Sequence, residues 1–289
     1  MINNMRKGII MCGGSGTRIY PINVFSSKHL LPIYDKPMIY YSLSTLLMAN
    51  IKNIQIVTNK EHFQIYKKSL QKFNNLGINL SFTIQSKPSG IAECFKLCKN
   101  FIGKSKIAII LGDNFFFGNN FHNIMQTVTK YNTNCLLTYK VNNPNLYGVI
   151  KRNKNNIPLD ILEKPKKFIS NEVVTGLYFY NNDVLKLADK LKPSKRGELE
   201  ITDLNRILLK KKRIKIINLG RGFSWFDIGN ASSLNSATNF VESIQSREPY
   251  KLGCIEEILL KKKIISKKEL KRYIKNIPAS DYKNYLKKI

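Results

Sequence analysis

The sequence predicts an α/β fold: a doubly wound, mostly parallel central sheet, a smaller β-rich part and a C-terminal helical appendage. Three observations lead there. Short apolar runs alternate with helix-period segments through the first 130 residues, as strand–helix–strand units do. One run, K-I-A-I-I-L at residues 106–111, is apolar after its first residue and suits the centre of a sheet covered on both faces. Beyond Tyr131, strands follow one another with little helix between them, and past Arg247 come short lysine-rich helical segments broken by Gly253 and Pro278.

Taken in order, residues 7–12 form a buried strand, and a glycine-rich loop follows. Residues 37–50 read as a helix with Pro37 in its first turn, and Ile39, Leu43, Leu46 and Leu47 share one face. A strand at 53–58, a polar helix at 61–72, a strand at 80–85 and a helix at 89–99 lead to the apolar strand at 106–111. Strands are expected at 134–141, 147–151, 159–163 and 173–180, then helices at 182–191 and 200–211. A strand at 215–219 and a helix at 230–245 complete one domain, residues 1–246, with 247–289 as its appendage. No internal repeat and no Pro/Gly/Ser linker interrupts it.

Composition excludes several classes. The chain has 289 residues and is 43% hydrophobic, which is incompatible with a disordered tail protein. No apolar run approaches the roughly 20 residues of a membrane-spanning helix, and residues 1–12 lack the long apolar stretch of a secretory signal. The cysteines, Cys12, Cys94, Cys98, Cys135 and Cys254, are odd in number and scattered, which suits reduced thiols in a cytoplasmic protein. Lys+Arg 48 against Asp+Glu 19 gives a net charge of +29. That charge suggests a nucleic-acid or membrane-surface binder. Compositional drift is the competing explanation, because Lys, Asn and Ile, all with AT-rich codons, rise together in the exposed stretches. Aromatic residues are not interleaved with the basic runs as a base-stacking platform requires.

The chemistry-bearing residues begin at Gly13-Gly14-Ser15-Gly16-Thr17-Arg18, directly after the first strand. Glycines let the backbone approach a phosphate, and successive N–H groups can form an anion-binding concavity. The stretch is not a Walker loop, and it lacks the third glycine of a dinucleotide fingerprint. Arg18 can grip phosphate oxygens, or it is a surface arginine after a tight turn. Lys28 can place a point charge on the same polyphosphate, or decorate the surface. Leu111-Gly112-Asp113-Asn114 puts a carboxylate at the carboxyl edge of the sheet, where it suits magnesium or a helix cap. Asp227, in S-W-F-D-I-G, is a second acid beside the chain's single tryptophan. Glu163-Lys164 offers an acid for sugar hydroxyls and a cation for phosphate, or forms an ordinary surface pair. The histidines His29, His62 and His122 share no metal spacing, and Cys94 with Cys98 suits the core.

Together these segments resemble the sugar nucleotidylyltransferase family. The resemblance rests on the Gly13–Arg18 stretch, on L-L-P-I-Y-D-K-P-M-I-Y-Y from Leu30 to Tyr41, on Leu111–Asn114, on T-G-L-Y-F-Y from Thr175 and on R-G-E-L-E-I-T-D from Arg196. It runs through most of the chain and implies a Rossmann-like nucleotidyltransferase fold, with a nucleotide-binding part at about 1–130 and a sugar-binding part at about 131–229. It also implies a magnesium-dependent reaction of dTTP with α-D-glucose 1-phosphate, giving dTDP-glucose and pyrophosphate. By that pattern Met11, Gly13, Gly14, Ser15, Gly16, Thr17, Arg18, Lys28, His29, Gln85, Gly90 and Asp113 would bind nucleotide. Asn114, Tyr147, Gly148, Glu163, Lys164 and Val174 would line the sugar site, and Asp113 and Asp227 would hold Mg2+. Arg18, Lys28, Asp113, Lys164 and Asp227 would be catalytic. The resemblance further implies a homotetramer, regulation by a downstream dTDP-sugar near the C-terminal helices, and a place in deoxysugar (rhamnose) and lipopolysaccharide O-antigen synthesis. No nucleic acid or membrane is expected as a partner. The rivals are a UTP-using relative, a nucleic-acid-binding protein and an inactive sugar-nucleotide-binding regulator.

Three departures from the family pattern stand out. His29 replaces the glutamine after the active lysine and is expected to make nucleotide contacts pH-sensitive. Met11-Cys12 replaces Leu-Ala and brings an oxidisable thiol near the loop, and Ile228 replaces a threonine after the second aspartate.

Overall fold

A computed structural model describes residues 6–14 and 16–289. The strands are β1 (Lys7–Cys12), β2 (Pro32–Ile33), β3 (Lys36–Pro37), β4 (Asn53–Thr58), β5 (Asn79–Ile84), β6 (Ile107–Leu111), β7 (Asn114–Gly118), β8 (Asn134–Lys140), β9 (Gly148–Arg152), β10 (Pro158–Glu163), β11 (Glu172–Tyr180), β12 (Ile214–Asn218) and β13 (Phe223–Asp227). The helices are α1 (Ile39–Met48), α2 (Phe63–Leu70), α3 (Cys94–Leu97), α4 (Lys99–Ile102), α5 (Phe121–Lys130), α6 (Val184–Ala188), α7 (Ile201–Lys210), α8 (Ala231–Gln245), α9 (Ile255–Lys261), α10 (Lys267–Lys275) and α11 (Asp281–Lys288).

The main sheet has nine strands in the order β10-β9-β11-β6-β1-β4-β5, with β8 also paired to β11 and β12 to β8. The strands β5, β4, β1 and β6 run parallel, and β11 turns antiparallel against β6, β8 and β9. The chain winds from β1 outward through β4 to β5, then returns to place β6 on the other side of β1. That reversal opens a crevice at the carboxyl ends of β1 and β6, where α/β sheets bind ligands.

Both faces are covered, and side-chain alternation sorts residues between them. Ile10, Cys12, Ile54, Ile56, Ala108 and Ile110 pack on one face with α1, α2 and α5. Ile9, Met11, Val57, Ile107 and Ile109 pack on the other with α3 and α7. The expected single apolar face of α1 is exceeded: Ile39 and Tyr41 through Leu47 are all buried, because α9 covers the outer side. Ile255, Leu259, Leu270, Ile274 and Leu286 of the C-terminal helices join the same core as α1. Arg6 ties the start of β1 to its surroundings, donating to the carbonyls of Thr129, Ile107, Tyr180 and Tyr131 at 3.0–3.2 Å.

Several local expectations change. Pro37 lies in the β2–β3 hairpin opposite Pro32, so α1 starts at Ile39. The expected helix at 89–99 is a 3-10 turn followed by α3 and α4, separated at Cys98. The strands β7 and β13 and the helix α5 were not expected. β7 and β13 form a separate two-stranded antiparallel sheet. It packs through Phe115 and Phe226, stacked at 5.6 Å, against Phe240 of α8.

Candidate active site

The glycine loop leaves β1 into the crevice. Gly16 adopts a left-handed conformation (φ 63°) that opens a 3-10 turn at Thr17–Ile19 and carries exposed Thr17 and Arg18. Asn23 Nδ2 donates to the Gly16 carbonyl at 3.3 Å. Gly13 and Gly14 lie on the crevice side of β1, Gly14 with open space around it, and Ser15 lies outside the described residues. The Arg18 guanidinium crosses to Gly229, where a Cβ would sit 3.1 Å from its Nη2.

The acids meet at the crevice. Lys28 Nζ lies 2.5 Å from Asp113 Oδ2. The β7–β13 register sets Asn114 directly opposite Asp227. Asn114 Nδ2 then donates to Asp113 Oδ1 at 3.0 Å and to Asp227 Oδ1 at 3.2 Å, so one amide nitrogen spans both carboxylates. The amide cannot turn freely, because its Oδ1 accepts from Trp225 Nε1 at 2.7 Å and from the Gly176 N–H at 3.0 Å. Ser42 of α1 anchors the loop below, donating to the carbonyls of Leu111 and Asn114. The Ile228 N–H donates to the Asp113 carbonyl at 3.0 Å.

Electrostatics separates the two acids. Burial and the neighbouring Asp113 push the Asp227 carboxyl up to about 7, against Lys28 and Arg18. Burial acts in the same sense on Asp113, but the Lys28 ammonium and hydrogen bonds from Lys28 and Asn114 outweigh it and hold that carboxyl below its ordinary range. Lys28 thus pairs directly with Asp113, while Asp227 feels its charge only at longer range. Among the described residues no three His, Cys, Asp or Glu side chains gather as a metal cluster. A pair of hard oxygen donors facing a phosphate-sized cleft nonetheless fits Mg2+, which takes one or two carboxylates and completes its shell with phosphates and water.

Beyond Asp227 a cleft is lined by Arg18, Asn114, Tyr147, Gly148, Glu163, Lys164 and Val174, all singled out from sequence. Glu163 Oε2 accepts from Thr202 Oγ1 at 2.6 Å, and Lys164 holds its backbone N–H on the Tyr147 carbonyl at 2.9 Å. The Tyr147 ring lies 5.2 Å from Trp225, and burial together with Asp227 raises its hydroxyl to about 12. Sequence reasoning assigned no role to Arg196, Thr202 or Trp225. Arg196 lines the cleft, 3.4 Å from Glu163 and held at 2.8 Å by Glu200.

At the other end, Met11 is buried beside Leu111. Gln85 Nε2 donates to Glu93 Oε2 at 2.7 Å and to the Gly90 carbonyl at 3.3 Å. Gly90 (φ 96°) lies tight against Leu199, whose N–H pairs with the Ser89 carbonyl at 2.8 Å. No side chain larger than glycine fits there.

The structure corrects the pH expectation for His29. The ring is 3% exposed, lies beside Tyr66 Oη (3.2 Å) and Ser27 Oγ (3.4 Å), and is pushed down to about 3 by burial and by Lys28. It therefore stays neutral at physiological pH. Cys12 is likewise no reactive thiol: burial pushes its pKa up, and it is 2% exposed. Ile228 packs with Phe115 and Val241 in the core cluster.

Comparison with known proteins adds to this geometry. The family model described as nucleotidyl transferase matches residues 7–244. A glucose-1-phosphate thymidylyltransferase of Neisseria meningitidis is 41% identical, the match covering 97% of this chain and 98% of that protein. One from Mycobacterium tuberculosis is 40% identical, covering 97% of each. Among solved structures, a putative glucose-1-phosphate thymidylyltransferase from Bacillus anthracis in complex with a sucrose matches with a TM-score of 0.75 and 35% identity, over 83% of this chain and 96% of that one. A UDP-glucose pyrophosphorylase complexed with UDP-glucose matches with a TM-score of 0.71 and 26% identity, over 83% and 99%.

Proposed function

The chain belongs to the nucleotidyl transferase family, and from that premise we infer that it joins dTTP to α-D-glucose 1-phosphate, giving dTDP-glucose and pyrophosphate. One observation carries this reading: Lys28, Asp113, Asn114 and Asp227 meet beside a cleft holding Glu163, Lys164 and Arg196. A site with cations for two phosphate groups and paired acids between them suits phosphoryl-type transfer. There the protein mainly positions reactants and stabilises charge.

In this reading a sugar phosphate oxygen attacks the α-phosphorus in line and pyrophosphate leaves, with no covalent enzyme intermediate. The Gly13–Thr17 loop, Ser15 included, cradles the triphosphate, and Arg18 takes the leaving pyrophosphate. Lys28 neutralises charge growing around the α-phosphate. Asp113 and Asp227 would hold Mg2+, which would supply further neutralisation of phosphate charge. Met11, Gln85 and Gly90 form the base end, with His29 supporting it from below. Asn114, Tyr147, Gly148, Glu163 and Val174 receive the glucose ring, and Lys164 with Arg196 grips its phosphate.

The same reading divides the chain into a catalytic part, residues 1–246, with nucleotide and sugar halves meeting near 130, and an appendage at 247–289. No helix among the described residues is long and apolar enough to cross a membrane. A cytoplasmic homotetramer feeding deoxysugar synthesis completes the proposal. A separate cavity beside the C-terminal helices, lined by Phe117, Gly118, His122, Tyr250, Lys251 and Lys262, offers rings and cations for a regulatory dTDP-sugar.

The test is to mix purified protein with dTTP, glucose 1-phosphate and Mg2+ and to measure pyrophosphate. Release should need all three and stop with EDTA. Equal use of UTP would favour a UDP-glucose-forming relative. DNA binding that weakens steeply with salt, without any pyrophosphate release, would favour a nucleic-acid binder.

A further inference from the structure

We propose that Glu93 is a specificity-determining residue: it locks the Gln85 side-chain amide so that the carbonyl, not the NH2, faces the nucleotide base. The site then accepts a pyrimidine bearing a ring N–H, such as thymine or uracil, and rejects cytosine. The inference rests on the reading above, in which Gln85 lies at the base.

The orientation follows from the chemistry of the partners. Gln85 is 5% exposed, and its Nε2 has two neighbours at hydrogen-bond distance, Glu93 Oε2 at 2.7 Å and the Gly90 carbonyl at 3.3 Å. A carboxylate and a backbone carbonyl can only accept. If the amide turned over, its oxygen would face two other acceptors and its NH2 would lose both. The Gln85 oxygen is therefore aimed the other way, toward the glycine loop, where a methyl group on Gly13 would collide with it. Among the described residues no donor reaches that oxygen, so an acceptor is left ready at the crevice.

Thymine N3 carries a hydrogen that such an acceptor can receive. Cytosine N3 carries a lone pair instead, which would meet the Gln85 oxygen head-on and leave both acceptors unpaired. A site built around a specific hydrogen bond discriminates strongly, by up to about 10⁴–10⁵. Glu93 makes that discrimination depend on a residue set behind Gln85. A neutral amide at position 93 can either donate or accept, so it would let Gln85 turn over.

The experiment compares kcat/KM for dTTP and dCTP in the parent, Glu93→Gln, Glu93→Ala and Gln85→Ala, with thermal melting of each. Binding of dTDP and dCDP by calorimetry gives a second readout. Glu93→Gln is nearly the same shape, so its folding should be unchanged. Its preference for dTTP over dCTP should fall by at least about tenfold, chiefly through better use of dCTP. A purely structural role would lower both nucleotides alike and leave the ratio unmoved. An unmoved ratio in both Glu93 variants, with Gln85→Ala still impairing dTTP use, would overturn the lock and leave the base site standing. If Gln85→Ala is also without effect, the base site itself is misplaced.

Discussion

Replacing Asp227 by Asn keeps the shape of the side chain and removes its charge. The geometry makes opposite demands on activity and stability. For activity, the change takes away one of two carboxylates held by the Asn114 amide. Losing one preorganised electrostatic group of this kind lowers turnover by about 10²–10³, or about 3–4 kcal/mol. For stability, Asp227 is a burden in the metal-free protein. Burial and Asp113 raise its carboxyl from 3.8 to about 7. The folded protein therefore holds that proton more tightly than the unfolded chain does. The penalty is absent below the ordinary value, grows as pH rises toward 7 and is constant above it. A shift of that size corresponds to at most about 4 kcal/mol. Asp113 shares it and cleft water relieves it, so a gain of about 1–2 kcal/mol is expected for the variant at pH 8. The assays are pyrophosphate release with Mg2+ titration, and thermal unfolding in EDTA at pH 5 and pH 8. The variant should lose activity and Mg2+ affinity yet melt no lower than the parent at pH 8, with a smaller difference at pH 5. Near-normal turnover and metal affinity, or a melting temperature well below the parent's at pH 8, would refute the reasoning.

Three further outcomes are expected. Arg6→Ala strips donors from the carbonyls of Thr129, Ile107, Tyr180 and Tyr131 and should destabilise by about 3 kcal/mol in urea unfolding. A loss below about 1 kcal/mol would mean that water replaces the guanidinium. Glu172 is buried, which by itself disfavours its charge, but hydrogen bonds from Arg152 and Thr138 win and hold its carboxyl below 4.5. Its contribution is present above that value and lost on acidification through the lowered one. Glu172→Gln should cost about 2 kcal/mol at neutral pH and flatten the acid limb of the stability curve, as melting from pH 7 to 3 would show. Nucleotide affinity should carry no His29 titration between pH 5.5 and 8, because the ring is held neutral. A step near pH 6.5 that vanishes in His29→Gln would contradict this.

Part of the site was legible because its chemistry is local. Gly13 through Arg18 follow a strand, and Asp113 ends one, so their place at the carboxyl edge follows from the apolar runs before them. Other parts had no local signal. Arg196, Thr202 and Glu93 act through partners 33, 39 and 8 residues away. The strand β13 mixes polar and aromatic residues without a clean alternation, and α5 sits where the sequence shows no strong helical start. His29 follows Lys28 in the chain, but its burial, which no local stretch encodes, keeps its ring neutral.

Sequence by itself determined the parallel core: runs such as I-A-I-I-L can be satisfied only by burial on both faces, and that requirement is independent of distant context. Sequence also determined which cations and acids were available for phosphate chemistry. The tertiary structure alone decided that Asn114 stands opposite Asp227, residues 113 apart along the chain. It alone decided that the two acids ionise differently. Register between remote strands is set by the packing of whole layers, and an acid's charge state by the water and charges around it, neither of which any stretch of chain encodes alone.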